Sequence, residues 1–200
     1  MVRPWIFEVF GRTPLHTASM HGLTDIVRWL LNHDADANSR QNDGRTPLHL
    51  EAHNNNLEAV QVLLDHNADV NSRCGLDDSP LSLAVYRNYL DIVRLLLEHG
   101  ADANARGLEQ QTPLRLASYQ GRLEVAMLLL KYGANVDEKD DEGMTAIHIA
   151  SARGMESRSY CRNMVPSLGH KIDVSNFRLP VRRNVLISEV MVMTRRVSRK

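Results

Sequence analysis

The chain has 200 residues, 43 % hydrophobic but only 5 % aromatic, as expected of a water-soluble protein with an aliphatic core. Its formal net charge of zero is unevenly spread: residues 1–154 carry 14 Lys+Arg against 21 Asp+Glu, and residues 155–200 carry 10 against 3. The acidic first block argues against nucleic acid as a partner, two distant cysteines exclude a disulfide framework or zinc spacing, and no apolar run approaches the roughly 18 residues that span a membrane.

At the N-terminus, MVRPWIFEVF has one Arg and too short an apolar run for a secretory signal. The first helix signal is Thr13-Pro14-Leu15-His16. A Thr oxygen can accept from the free N–H groups of a helix start, and Pro fits the first helical position. The His can reach back toward the cap. Gly22 then supplies the left-handed residue that ends a helix. A second helix, Asp25-Ile-Val-Arg-Trp-Leu-Leu31, opens with an acid at the positive end of its dipole and carries an apolar stripe. It stops near Asp34 and gives way to Ala-Asp-Ala-Asn and a polar stretch, which reads as an extended turn or hairpin finger.

This unit repeats. Thr46-Pro47-Leu48-His49, Ser79-Pro80-Leu81-Ser82, Thr112-Pro113-Leu114-Arg115 and Thr145-Ala146-Ile147-His148 start 33 residues apart without slippage. Asn55 and Asn88 stand where Gly22 and Gly121 do, the chemically permitted exchange at a left-handed position. The second helices recur as EAVQVLL, DIVRLLL and EVAMLLL, ending near Asn67, Gly100 and Gly133. One such unit cannot bury its own leucine face, whereas stacked units cover one another.

These residues closely resemble the ankyrin repeat, over residues 11 to about 154. The resemblance implies an all-α repeat fold, an ankyrin solenoid of stacked helix-turn-helix units with hairpin fingers. The array is assigned to residues 1–154, with units starting near 13, 46, 79, 112 and 145, the last truncated. The sequence departs from the pattern in places. Glu51 occupies a helix-contact position held by Ala18, Ala84, Ala117 and Ala150. Asp77 and Gln110 replace a glycine that Gly11, Gly44 and Gly143 supply, which predicts two fingers of different shape. In the fifth unit Arg162-Asn163 stand where Leu-Leu is expected, Pro166 follows, and only a weak echo of a finger appears at Gly169–Val174. Residues 155–200 are read as a basic non-repeat tail: an improvised cap, a localisation or membrane-surface segment, or disordered or unselected sequence.

Function follows from what is present and what is missing. No phosphate loop, nucleophile elbow or kinase motif occurs, and Asp and Glu sit at helix starts and in fingers. No catalytic, cofactor-binding or metal-binding residue is assigned, and the chain is read as a non-enzyme without cofactor. The nine histidines fall mostly at repeat positions: His16, His49 and His148 in the motif, His33, His66 and His99 at second-helix ends. Equivalent positions of stacked helices lie about 10 Å apart, too far to share a metal.

The resemblance implies a partner protein on a concave surface of finger tips and first helices. The matching positions vary between copies: Arg12, Met20 and His21; Arg45, His53 and Asn54; Asp78, Tyr86 and Arg87; Gln111, Tyr119 and Gln120. Tyr86 and Tyr119 are register-equivalent neighbours, and Tyr and Arg are common interface anchors. The basic column Arg40, Arg73, Arg106 and Lys139 reads mainly as a solubility feature. Asn38, Asn71 and Asn104 look like the ankyrin asparagines that an intracellular dioxygenase hydroxylates.

The expected function is a scaffold for another protein, with no nucleic acid, no membrane span, and self-association through uncapped ends. The alternative is a targeting module or fragment of a larger ankyrin-containing enzyme or signalling protein, since the 46 residues after the repeats are too few for a catalytic domain. The setting is expected to be intracellular, in the cytoplasm or nucleus.

Overall fold

A computed structural model describes residues 10–75, 77–107, 111–139 and 143–152, all within one compact unit, Met1–Met164. The tail and the echo at Gly169–Val174 lie outside the described residues. Nine helices are present among them: α1 (Pro14–Met20), α2 (Thr24–Leu31), α3 (Pro47–Asn54), α4 (Leu57–Asp65), α5 (Pro80–Arg87), α6 (Leu90–Glu98), α7 (Pro113–Gln120), α8 (Leu123–Lys131) and α9 (Ala146–Ala152). They pair as α1–α2, α3–α4, α5–α6 and α7–α8. First helices stack in one row, α1 on α3 on α5 on α7 on α9, and second helices in another, α2 on α4 on α6 on α8. The fold is the all-α repeat array expected, and the described residues contain no strand.

Each first helix starts as the sequence predicts. Thr13 has extended backbone, and its Oγ1 accepts from the His16 N–H at 3.4 Å. The His returns the bond: Thr13 N–H donates to His16 Nδ1 at 3.2 Å, and Thr46 does the same to His49. Nδ1 being the acceptor, Nε2 carries the proton and donates to a carbonyl of the next finger, Arg45 for His16 and Asp78 for His49, each at 3.1 Å. The motif His therefore closes its own helix start and ties it to the finger that leads into the following unit. Burial pushes the pKa of both rings down, to about 4 for His49, which keeps them neutral. In the third copy Ser82 keeps the reciprocal cap, with bonds of 3.0 and 3.1 Å to Ser79.

The helix ends are left-handed as expected: φ is 61° at Asn55, 62° at Asn88 and 74° at Gly121. Asp34, Asn67, Gly100 and Gly133 close the second helices in the same conformation. There His33, His66 and His99 fold back so that each ring meets the carbonyl four residues earlier, at 2.7, 2.8 and 2.9 Å, which places them as caps for carbonyls that helix ends leave free.

The core is aliphatic and lies between units. Leu48, Leu63, Ile92, Val93, Leu96 and Leu129 are wholly buried; truncating one such leucine costs about 2–5 kcal/mol. The fingers are tight turns, closed by Gln41 N–H to Arg45 O at 2.9 Å and Cys74 N–H to Asp78 O at 3.0 Å. Asp77 corrects the prediction of a reshaped finger. It takes φ of 63°, the conformation of Gly11, Gly44 and Gly143, so the finger keeps its form at a backbone cost. Gln110 lies outside the described residues.

Candidate protein-interaction surfaces

The last turn of the first-helix row carries one variable residue per unit. Met20, Tyr86 and Tyr119 are exposed, and His53 is half-buried. The small or aliphatic residues before them (Ala18, Ala84 and Ala117) are buried against neighbouring helices, which leaves this position pointing outward. The adjacent column is His21, Asn54, Arg87 and Gln120. Arg87 Nη2 meets His53 Nε2 at 2.5 Å across the seam between the second and third units. Asn54 Nδ2 donates to the carbonyls of Ser19 and Met20, at 3.2 and 3.1 Å, across the preceding seam. These polar side chains hold the row in register while presenting their outer edges.

At the finger ends Arg45, Asp78 and Gln111 are half-buried, and all three lend backbone carbonyls to the fold. Asp78 also accepts from Ser82 Oγ at 3.1 Å. Gly107 approaches this pair so closely that a Cβ would lie 2.9 Å from Asp78 Oδ1. Asp78 is thus partly committed to structure. So is Gln120, half-buried, with its Oε1 wholly enclosed. Of the positions named from sequence, Met20, His21, Asn54, Tyr86, Arg87 and Tyr119 are exposed.

The basic column has another role. Arg40 Nη1 donates to the Arg73 carbonyl at 2.7 Å, Arg73 Nη1 to the Arg106 carbonyl at 2.6 Å, and Arg106 pairs with Glu138. These guanidinium groups tie each finger to the next, a use that sequence spacing alone did not reveal. The asparagines do likewise. Asn38, Asn71 and Asn104 donate through Nδ2 to the carbonyls of Asn67, Gly100 and Gly133, at 3.0 to 3.1 Å. Their Oδ1 atoms accept from the N–H groups of Asp69, Asp102 and Asn135, at 2.7 to 2.8 Å.

A second surface was not anticipated. Ile26 of α2 is 46 % exposed, whereas its register equivalents Ala59, Ile92 and Val125 are 0 % exposed. Trp29 is 58 % exposed where Val62 is 3 % and Leu128 7 %. Leu23 is exposed beside them, and Trp29 stacks on the His33 ring at 4.2 Å. Reading the 33-residue register through the second helices would have placed Ile26 and Trp29 at core positions. Phe10, just before the first unit, is exposed as well.

Among the described residues no group of three or more His, Cys, Asp or Glu side chains is placed to hold a metal, and no helix is long and apolar enough to cross a membrane. A family model described as ankyrin repeats (3 copies) matches residues 4–74 and 81–176. No curated protein matches the chain.

Proposed function

The chain belongs to the ankyrin-repeat family, whose members are generally protein–protein interaction modules, and from that premise we propose that it binds a partner protein along its first-helix row. The observation that carries this reading is the column Met20, His53, Tyr86 and Tyr119, with Arg87 beside it. Two exposed tyrosines recur one unit apart on a rigid helical frame. Their rings offer large area and a polar tip at little entropic cost. Arg45, Asp78, Gln111 and Gln120 form the rim. The reading makes the chain a non-catalytic scaffold without cofactor, in an intracellular setting that suits the buried free thiol of Cys74.

The test is affinity capture from cells of the source organism, with wild-type chain and a Tyr86→Ala/Tyr119→Ala variant of unchanged urea midpoint. Loss of a saturable, reproducible partner from the variant supports the assignment. Equal capture by both chains moves the binding site elsewhere.

Self-association is a second reading, favoured by the bare face of α2. In the following units the positions equivalent to Ile26 and Trp29 are buried, apart from the half-buried Leu95. An apolar surface left open in this way commonly marks a contact between molecules.

A further inference from the structure

The seam between the first and second units encloses an unmatched carboxyl group. Glu51, in the second turn of α3 where the other units have alanine, is 0 % exposed. Neither Oε1 nor Oε2 has a hydrogen-bond partner, and the enclosed Ser19 Oγ of α1 has none either. The Ser19 hydroxyl and Asn56 amide lie near enough to moderate the carboxyl's properties, without the geometry of a hydrogen bond. No ion pair among the described residues includes Glu51.

The charged and titratable groups on the elements around it are otherwise engaged. From α1 comes His16, whose ring is tied to Thr13 and the Arg45 carbonyl. On α3 itself, His49 is tied to Thr46 and the Asp78 carbonyl, and His53 meets Arg87 of α5. On α4, Glu58 is held by Arg28 at 2.7 Å and Asp65 by Gln61 at 2.7 Å. A negative charge at Glu51 would therefore meet neither a counter-ion nor water while the seam is closed, and opening the seam is what supplies water.

We propose that Glu51 makes the seam between the first two units a proton-operated joint, closed while the carboxyl is protonated and loosened when it ionises. Desolvation pushes the Glu51 pKa up from 4.5 to about 7, which puts the change near neutral pH. The sign follows from proton binding. The closed seam holds the proton up to about pH 7 and the open seam only to the ordinary carboxylate range, so rising pH favours opening through that window. Within the same range, below about pH 6.5, the His16 ring works the other way, because its lowered pKa makes acid favour opening. The joint carries Met20 on one side and His53, Tyr86 and Tyr119 on the other. Loosening it would misalign the column that the proposed partner reads; that consequence rests on the binding reading, but the joint does not.

The experiment is hydrogen exchange by mass spectrometry on the full chain, corrected for intrinsic exchange rates, from pH 5.5 to 8.5. Wild type is compared with Glu51→Gln, which keeps the shape without the charge, and with Glu51→Ala, the residue of the other units. Dividing wild-type opening by that of Glu51→Gln removes the histidine contribution. For amides in residues 15–31 the quotient should rise roughly tenfold or more over this range, while amides in residues 80–131 show a much smaller change. The same rise should appear against Glu51→Ala. A quotient flat within about twofold, or third and fourth units opening in step with the first, would overturn the joint. Since the readout is the seam itself, failure of the partner assignment leaves this result standing.

Discussion

The side-chain amide of Asn71 spans the gap between two fingers, donating to the Gly100 carbonyl at 3.1 Å while accepting from the Asp102 N–H at 2.8 Å. Both ends of the amide are used, so no other residue type of that length can replace it. Asn71→Asp keeps the acceptor and loses the donor, and should lower stability by about 1 kcal/mol. Asn71→Ala loses both and should cost about 2 kcal/mol. Urea midpoints check the order; equal loss in the two variants would mean that only the donor matters.

Glu51→Ala should stabilise the array. The gain is small near pH 5, where the carboxyl is protonated, and grows to about 1–3 kcal/mol by pH 8. It follows from a pKa raised to about 7 by burial. Urea denaturation at the two pH values tests it, and a midpoint that falls at pH 8 sinks the argument.

The buried histidines set the acid limit. His49 is held neutral with its pKa pushed down to about 4 from 6.5. A depressed His pKa means that the native state binds fewer protons than the unfolded one. The stability it confers is present above about pH 6.5 and is lost as pH falls toward 4. His49→Ser, the solution the third unit uses, should cost about 1–2 kcal/mol at pH 7.5 by removing the tie to Asp78. It should also make the melting temperature less sensitive to acid, which calorimetry between pH 4.5 and 7.5 would show.

Asp77→Gly should raise stability by about 1 kcal/mol. Asp77 holds φ of 63°, which glycine adopts without penalty. Against this stands its ion pair with Arg73 at 2.9 Å, half-exposed and therefore of small value. A lowered midpoint would show that the pair outweighs the backbone relief.

The bare face of α2 should drive association. Wild-type chain at tens of micromolar should scatter as more than a monomer, and Ile26→Lys/Trp29→Lys should shift it toward monomer without lowering the urea midpoint. Equal scattering from both would place any contact elsewhere.

Local features were legible in the sequence because their causes are local. The Thr-Pro starts, the Asn-for-Gly exchanges at Asn55 and Asn88, and the leucine stripes each act within a few residues, and the 33-residue register exposed Glu51 as an outlier by simple comparison. What was not legible depends on distance through space. That Arg40 reaches the Arg73 carbonyl and Arg73 the Arg106 carbonyl needs the stacking distance between fingers. That Glu51 and Ser19 face one another without bonding needs the packed seam. Asp77 was misjudged because a residue's preference was taken for its conformation; the neighbouring turn bonds impose the left-handed form on it.

The ties between fingers have one further property. The histidine bonds span 29 residues, the asparagine bonds 29 and 31, and the arginine bonds 33. The asparagine and arginine bonds join a unit to its immediate successor, and the histidine bonds join a first helix to the finger that closes its own unit. Deleting residues 46–78 would leave His16 its Arg45 acceptor and offer Asn38 and Arg40 the Gly100 and Arg106 carbonyls in place of their own. A deletion that is not a whole unit would break the register of each tie that spans it. Loss or gain of chain within the array therefore preserves these ties when it comes in steps of 33 residues.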